Sequence, residues 1–380
     1  MKKPVYLDYN ATTPVDPEVV NEMLPFLRSS YGNPSSSYSI GRDNKEAVNR
    51  ARKQVADLIN AGPEEIVFTS GGTESNNHAI RGISLANKEK GRHIITSSIE
   101  HPAVTKVCSY LNSLGYEITY VPVDRNGMVN PDDVENAVRA DTVLITIMHA
   151  NNEVGTIQPV AEIGSIARKN NIMFHTDAAQ SAGKIETDVI RLNVDLLTLA
   201  GHKLYAPKGI GALYIKKGTK IENLMYGAGQ EKGIRPGTEN VPYIVALGKA
   251  CEIAQRDLEQ NNTHIYRMRE RLISGLRQKL GSTVKLNAGL NNCLPNTLSI
   301  AFDKVDAHTL TSLIGNEVFI STGSACHADS VEISSVLKAM EVELMTAVST
   351  VRISTGKYTN EKEIDIAVES ISNAVNNLLR

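Results

Sequence analysis

The sequence lacks the features that mark membrane, secreted and nucleic-acid-binding proteins. Its 380 residues contain four scattered cysteines, which form neither a disulfide framework nor a zinc-binding pattern. No apolar run approaches the roughly 20 residues that span a bilayer, and the opening residues MKKPVYLDYN have no apolar signal-peptide core. A formal net charge of -2 provides no strongly basic surface for nucleic acid or anionic lipid. We therefore expect a cytoplasmic protein that binds no membrane and no nucleic acid directly.

Two nucleotide-binding motifs are absent as well. The sequence contains neither G-x-G-x-x-G nor G-x-x-x-x-G-K-[ST], so dinucleotide-binding and P-loop functions lose their main sequence support. A dehydrogenase function would rest on analogy of fold alone.

The sequence does contain a regular alternation of short apolar strands and helical stretches. After helical patterns at 17–28 and 41–60, strands are predicted at 66–70, 93–97, 117–123, 143–148, 172–175, 194–200 and 211–215. Such alternation predicts an α/β fold with a mostly parallel, doubly wound sheet. Ligands of these sheets bind beyond the carboxyl ends of the strands.

The second half of the chain predicts a smaller α/β domain. A helical region at 242–280 precedes a shorter alternation, with strands at 297–301, 318–321 and 351–354, a helix at 308–313 and a last helix from residue 360. The segment 322–333 has neither a strong helical nor a strong strand pattern. We expect a large domain of residues 15–255 and a small domain formed by residues 1–14 and 256–380.

Two of the predicted strands end in residues that suit one cofactor. One delivers Asp177, and another delivers Gly201, His202 and Lys203. A lysine amine can hold pyridoxal phosphate (PLP) as a Schiff base, while a carboxylate can pair with the cofactor's pyridinium nitrogen. The structural alternative is a surface lysine after a strand and an aspartate that caps a helix.

Other strand ends carry residues of related chemistry. Gly72 and Thr73 lie where a strand turns into a helix, which suits phosphate binding or is an ordinary turn. His101 follows the next strand and suits either ring stacking with proton transfer or helix capping. Asn152 and Gln180 can each donate a hydrogen bond to a ring oxygen.

Two candidate residues fall in the predicted small domain. Arg352 lies on a strand and can bind a substrate carboxylate with two hydrogen bonds, or form a salt bridge. Cys326 lies among small residues in TGSACH, where it is either an accessible thiol whose pKa His327 lowers or a buried structural cysteine.

Taken together, these motifs resemble the cysteine desulfurase family and its sister group, the selenocysteine lyases, within the class V branch of fold-type I PLP enzymes. The resemblance covers essentially the whole chain, from YLDYNATTP at Tyr6 to the strand that carries Arg352. It includes the motifs GNPSS, FTSGGTESNN, SSIEHPAV, NNEVGTIQP, HTDAAQSAGK, GHKLYAPKGIGALY, RPGTEN and GSAC.

The resemblance implies a role for each matching residue. Lys203 would carry the cofactor and remove the substrate's Cα proton, and His101 would stack on the ring. The remaining cofactor contacts would come from Gly72, Thr73, Asn152, Asp177, Gln180, His202 and, from the other subunit of a homodimer, Thr238. Asn152 and Arg352 would bind the substrate, and Cys326 would take its sulfur.

The resemblance also implies a reaction and its partners. L-cysteine would become L-alanine while Cys326 gains a persulfide, whose sulfur passes to an acceptor protein such as an iron–sulfur scaffold. No metal ligand set is expected, apart from Cys326 in a cluster shared with such a scaffold. Mobility of 322–333 would let the thiol travel between the cofactor and the acceptor.

Two departures from the family pattern keep alternatives open. Ala200 stands where a serine usually bonds the phosphate, and the segment after Cys326 reads HADSVEISSVL without the proline that commonly precedes Ser334. Some features match selenocysteine lyases, so a lyase that releases selenide is the alternative enzyme. The non-enzyme alternative is a silent sulfur-transfer scaffold, against which the intact residues Lys203, Asp177, Cys326 and Arg352 argue.

Overall fold

The computed structural model describes residues 4–327 and 330–380, and it describes the backbone alone for 324–327 and 330–332. In chain order, strands β1 to β15 are Val5–Tyr6, Ile66–Thr69, His93–Ser97, Glu117–Val121, Thr142–Thr146, Met173–Asp177, Leu196–Ala200, Gly211–Ile215, Val284–Leu286, Thr297–Phe302, Val318–Phe319, Ser321–Thr322, Ser324–His327, Ser330–Ile333 and Thr350–Ser354. Helices α1 to α12 are Pro17–Arg28, Ser39–Leu58, Gly72–Ala86, Pro102–Ser113, Pro131–Asn136, Val160–Lys169, Val241–Arg256, Leu258–Leu280, Ala307–Ile314, Ser335–Ala339, Leu344–Val348 and Glu361–Leu378. In this part of the chain, no helix has the length and apolar character needed to cross a bilayer.

A seven-stranded sheet forms the centre of the molecule, in the order β2-β8-β7-β6-β5-β3-β4. Its neighbours run parallel except at β8, which is antiparallel to β2 and β7. The mostly parallel α/β sheet predicted from the sequence is therefore confirmed. The strand expected to run to residue 148 ends at Thr146. The Ile147 and His149 N–H groups still donate to β6, but the Met148 N–H donates to the Glu100 side chain.

Apolar side chains cover both faces of this sheet. Alternate residues of a strand point to opposite faces, so Phe68 of β2 packs with α2 and α7 while Val67 packs with α3 and α4. Helices on both faces make the sheet doubly wound, and its strand ends are left for polar residues.

A smaller C-terminal domain is built on an antiparallel sheet, in the order β12-β15-β10-β9. Leu272 of α8 and Ile371 of α12 join its apolar core. The chain start packs here too, since β1 pairs with β11. The predicted helical region 242–280 is two helices, α7 and α8, which meet at Asp257. The exact domain limits at residues 14 and 255 stay a prediction.

Residues 322–333 contain strands that the sequence pattern did not predict. The backbone of β13 pairs antiparallel with β14, because backbone hydrogen bonds form a short hairpin without apolar alternation. Residues 328 and 329, and the side chain of Cys326, lie outside the part of the chain that the structure describes.

Candidate active site

A cavity of about 380 Å³ opens beyond the carboxyl ends of the parallel strands. Its volume lies in the range of sites for small ligands and cofactors. Of the predicted site residues whose side chains the structure describes, all except Thr238 line it, namely Gly72, Thr73, His101, Asn152, Asp177, Gln180, His202, Lys203 and Arg352. The structure brings the residues at the strand ends together because parallel strands end at one edge of the sheet, and Arg352 joins them from β15 of the smaller domain.

Lys203 lies in the short 3-10 turn that follows β7. Its amine donates to the backbone oxygens of Asn10 and, at 2.7 Å, Ala11. Burial, followed by the positive charge of Arg352, lowers the pKa of Lys203 to about 8. About a tenth of this amine is consequently unprotonated at pH 7, far more than for an ordinary lysine, and the unprotonated form is the one that acts as a nucleophile or base.

Asp177 is the last residue of β6 and is buried. Its carboxylate accepts hydrogen bonds from Asn76 Nδ2 at 2.6 Å and from the Ala179 N–H at 2.9 Å. Asn76 lies on α3, so the helix and the strand fix this carboxylate jointly. A carboxylate held at the cavity wall can pair with a protonated ring nitrogen.

The first turn of α3 forms part of the cavity wall. Gly72 and Thr73 supply N–H groups that helix geometry leaves without intrahelical partners, at the positive end of the helix dipole. A Cβ at Gly72 would lie 3.3 Å from the Cβ of Ala200, so glycine permits the close approach of α3 to β7. His202 lies nearby, and burial lowers its pKa to about 4, which keeps its imidazole neutral at pH 7. These groups together can bind a phosphate.

His101 both caps α4 and faces the cavity. Its Nδ1 accepts a hydrogen bond from the Ala103 N–H at 3.1 Å, so we assign the proton of the neutral ring to Nε2. The ring is exposed toward the cavity, while the protein around it lowers its pKa by desolvation. The capping role considered from the sequence therefore coexists with a place in the cavity.

The amide of Gln180 has a defined orientation. Its Nε2 donates to the Asn10 carbonyl at 3.0 Å, and its Oε1 accepts from the Lys184 amine at 3.0 Å. A carbonyl cannot donate and an ammonium cannot accept, so the nitrogen and oxygen of this amide are distinguished. Gln180 can consequently offer its remaining N–H to a ligand oxygen.

The neighbouring residues Asn151 and Asn152 have different surroundings. The side chain of Asn151 is fully buried and holds the turn, accepting from the N–H groups of Glu153 at 2.8 Å and Val154 at 3.0 Å. Asn152 lines the cavity, as the sequence analysis expected of the second asparagine.

Arg352 forms the salt bridge that was one of the two alternatives from the sequence, and it also lines the cavity. It forms a salt bridge with Asp8 at 2.8 Å, and it also donates to Ser321 at 3.1 Å and to the Asn152 carbonyl at 3.1 Å. Its Nε has no partner among the described residues. The guanidinium is thus held in one orientation at the cavity wall, where it can bind a carboxylate.

The sequence did not predict three residues that hold the site residues in place, of which Asn10 and Asn76 line the cavity themselves. Asn10, Asp8 and Asn76 hold Lys203, Arg352 and Asp177, respectively. Asn10 and Asp8 lie in the YLDYNATTP motif, which supported the resemblance without any role for these two side chains. The signal for these two residues in the sequence was their polar character directly after the strand-like start of the motif.

Thr238 lies outside this cavity. Thr238 is exposed in the connection before α7. This connection contacts α3 through a salt bridge of 2.8 Å between Arg235 and Glu74. The prediction for the Cys326 thiol lies outside the described side chains.

Comparison with known proteins identifies similar chains over the full length. A family model described as aminotransferase class-V matches residues 5–366. The curated protein named cysteine desulfurase IscS from Methanosarcina thermophila is 49% identical over 377 residues, which cover 99% of this chain and 93% of that protein. A solved NifS-like protein has a TM-score of 0.93 at 40% identity and covers 99% of this chain and 100% of its own. SspA in complex with cysteine has a TM-score of 0.81 at 38% identity, with coverage of 93% and 99%.

Proposed function

The chain belongs to the aminotransferase class-V family, and we propose that it is a PLP-dependent cysteine desulfurase. In the overall reaction the Cβ–S bond of L-cysteine breaks and an S–S bond forms on Cys326. The thiol hydrogen of Cys326 is taken up in exchange at Cβ, which leaves L-alanine and a persulfide without any external oxidant. The names of the similar proteins favour cysteine over selenocysteine as the substrate.

The donor set of the cavity fits PLP. Lys203 would anchor the aldehyde, Asp177 would accept from the ring nitrogen, and Gln180 would donate to the ring oxygen. The first turn of α3 and His202 would hold the phosphate. The observation that carries the proposal is the amine of lowered pKa and the fixed carboxylate in one cavity. When bound, PLP supplies an electron sink for charge at the substrate's Cα.

The protein's own groups would orient the substrate and move its protons. Arg352 would bind the substrate carboxylate, in the orientation that Asp8 imposes on the guanidinium. Lys203 Nζ would then take the proton from Cα, and Nε2 of His101 would hold a second proton in the same cavity. Cys326, as a thiolate, would receive the sulfur.

The first experiment measures products with each substrate. The purified, PLP-loaded protein receives L-cysteine or L-selenocysteine with a thiol reductant, and alanine is quantified together with sulfide or selenide. We expect alanine and sulfide from L-cysteine. Selenide release with negligible sulfide would instead identify a selenocysteine lyase.

Two variants test the assigned residues. Cys326→Ala should abolish sulfide release and leave the PLP absorption spectrum unchanged, because the thiol acts after the cofactor is bound. Cys293→Ala, which removes a partly buried thiol that does not line the cavity, is the control and should retain activity. Lys203→Ala should abolish turnover with L-cysteine. Normal turnover in Lys203→Ala, or an equal loss in both cysteine variants, would contradict the proposal.

We also propose a homodimer in which Thr238 reaches the cofactor of the other subunit, and an acceptor protein that takes the persulfide sulfur for iron–sulfur cluster assembly. The resemblance supports both. The exposure of Thr238, away from the cavity of its own chain, agrees with the first.

A further inference from the structure

One edge of the seven-stranded sheet is covered by an ion pair. β2 is an edge strand of this sheet, and edge strands present N–H and C=O groups with which an added strand can pair. Arg52 Nη1 donates to the Ile66 carbonyl at 2.6 Å, and Glu231 Oε2 accepts from the Phe68 N–H at 2.9 Å. The two side chains therefore bind backbone groups of the edge strand as a further strand would.

Arg52 and Glu231 also bind each other through two hydrogen bonds. The guanidinium nitrogens Nη1 and Nη2 lie 2.8 and 2.5 Å from the two carboxylate oxygens. The side chains are only 16% and 4% exposed, and the guanidinium lies 4.7 Å from the centroid of the Phe68 ring. Removing one partner of such a pair is costly, because the other charge is left poorly hydrated and unpaired.

The backbone at Glu231 has a conformation that needs support. Glu231 and the following residue, Lys232, have left-handed φ angles of 45° and 59°. Residues with a side chain adopt this region at a cost, and they remain in it only where surrounding contacts maintain it. Lys232 is exposed and donates to the Glu64 carbonyl at 2.8 Å. The buried contact that maintains this turn is therefore the carboxylate of Glu231.

The turn at Glu231 is linked to Thr238 by a single hydrogen bond between their neighbours. Gln230 precedes Glu231, and its side-chain oxygen accepts from the Gly237 N–H at 3.1 Å. Gly237 in turn precedes Thr238. The position of the Thr238 backbone consequently depends on where Glu231 is anchored.

We propose that Arg52 and Glu231, here called the edge clamp, are positioning residues that fix Thr238 for the cofactor phosphate in the other subunit's site. The inference rests on the proposed homodimer and cofactor, and it deepens them. Neither residue lines the main cavity, so the edge clamp would act through Thr238. The salt bridge between Arg235 and Glu74 holds the same connection to α3 independently. Loss of the edge clamp would therefore displace Thr238 without releasing the whole connection.

The test places the altered edge clamp and the observed site in different chains. One chain is wild type, and its partner carries Lys203→Ala together with Glu231→Gln. Glutamine keeps the size of glutamate but has one accepting oxygen in place of two. The mixed dimer is isolated with two affinity tags and titrated with PLP, and the absorbance of the covalently bound cofactor reports only the site that retains Lys203. The reference dimer carries Lys203→Ala alone.

We expect the PLP concentration at half-saturation to rise about threefold to tenfold over the reference dimer, since a hydrogen bond to a charged group is weakened. Thr238→Val in place of Glu231→Gln sets the upper limit of this rise. Adding Glu231→Gln to a chain that already carries Thr238→Val should change nothing further, because the edge clamp would have no hydroxyl to position. Arg52→Gln should match Glu231→Gln.

A second measurement needs neither PLP nor L-cysteine. Hydrogen–deuterium exchange is followed in the full-length protein before PLP loading, in the peptide that contains the Gly237 N–H. We expect exchange there to be about tenfold faster in Glu231→Gln than in the wild type, because local opening becomes easier. Glu135→Gln is the control. It breaks an exposed salt bridge with Lys169 and should leave both exchange and PLP binding unchanged.

Equal half-saturation in the altered and reference mixed dimers would overturn the inference, as would an additional loss when Glu231→Gln is combined with Thr238→Val. Circular dichroism checks the fold. Arg52→Lys, which keeps a cation, replaces the glutamine variants if they do not fold and should shift PLP binding less in the same direction. Neither measurement requires turnover. A protein that shows both shifts but releases no alanine from L-cysteine would refute the proposed desulfurase function and retain this inference.

Discussion

At the scale of single residues, Glu100 is a buried acid whose side chain connects the two chain segments that follow β3 and β5. Its Oε1 accepts from Ser97 at 2.6 Å and from the Met148 N–H at 2.9 Å, and its Oε2 has no partner in the described part of the chain. Burial raises the pKa of Glu100 to about 8, with a smaller contribution from the charge of Asp177. Glu100 is consequently neutral at pH 7 and ties the ends of β3 and β5 together, from which His101 and Asn152 enter the cavity.

This neutral carboxyl predicts a specific pH dependence of stability. Because its folded pKa lies above its unfolded value near 4.5, the native state binds the extra proton. The binding of this proton stabilises the folded protein fully below pH 4.5, and this stabilisation is lost as pH rises through about 8. Glu100→Gln removes this titration. Relative to the variant, the wild type should lose about 1.4 kcal/mol of unfolding free energy per pH unit between those values, measured by urea denaturation at several pH values.

A surface glutamate provides the control for that measurement. Glu89 is exposed on the turn after α3, and Glu89→Gln should leave the slope of unfolding free energy against pH unchanged. Parallel slopes for Glu100→Gln and the wild type would show that Glu100 is already ionised in the folded protein.

At the scale of elements, the junction between β7 and α3 decides how the phosphate would be held. Ala200 is the last residue of β7, is buried, and faces Gly72 across a gap that an extra methyl at Gly72 would nearly close. Ala200→Ser places a hydroxyl beside the first turn of α3. A hydrogen bond to a charged group contributes about 1.5–3 kcal/mol, so PLP should bind about tenfold more tightly or better, measured by equilibrium dialysis.

Pyridoxal, which lacks the phosphate, separates this effect from a general change of the cavity. Its affinity should be equal in the wild type and Ala200→Ser. Ala179→Ser adds the same group at the Asp177 end of the cavity and should not improve PLP binding. A gain that extends to pyridoxal would place the phosphate away from Ala200.

Elements were predictable from the sequence where a local pattern defines them. The buried strands of the large sheet are apolar runs, and their ends identified Asp177 and Lys203 as neighbours. The strand Val284–Leu286 was missed because its three residues include the exposed Lys285 and show no periodicity. Asn10 and Lys184 were missed as a pair because 174 positions separate them in the chain, and only folding joins them.

At the scale of the whole molecule, the chain start connects the small domain to the cavity. Asp16 accepts hydrogen bonds from Lys357 and, at 2.7 Å, from Tyr358. The Tyr205 hydroxyl accepts from the Lys357 N–H at 2.9 Å, and Tyr205 itself adopts a left-handed φ of 63° two residues after Lys203. Such a conformation is strained for a bulky residue and persists only where surrounding contacts maintain it. The small domain therefore helps to fix the turn that carries Lys203.

In the proposed homodimer, each site would also include Thr238 from the second chain. This arrangement predicts the activity of mixed dimers. Lys203→Ala lacks the amine but keeps Thr238, while Thr238→Val keeps the amine and lacks one phosphate contact. Co-expressed with different affinity tags and purified in tandem, they form a dimer with one complete site if Thr238 acts across the interface. That dimer should reach about half the wild-type turnover with L-cysteine at limiting PLP, because one of two sites is whole.

The alternative arrangement gives a different number from the same preparation. If Thr238 served the cavity of its own chain, the only site with Lys203 in the mixed dimer would lack Thr238. Its turnover would then equal half that of the Thr238→Val homodimer. Light scattering tests whether the protein is a dimer at all, since a mass near the 41.3 kDa of one chain would exclude the dimer. The ratio of mixed-dimer turnover to Thr238→Val turnover is therefore measured at several PLP concentrations. Independent sites give a ratio of one-half throughout, whereas a shared site gives a higher ratio at limiting PLP that falls to one-half as PLP saturates both enzymes.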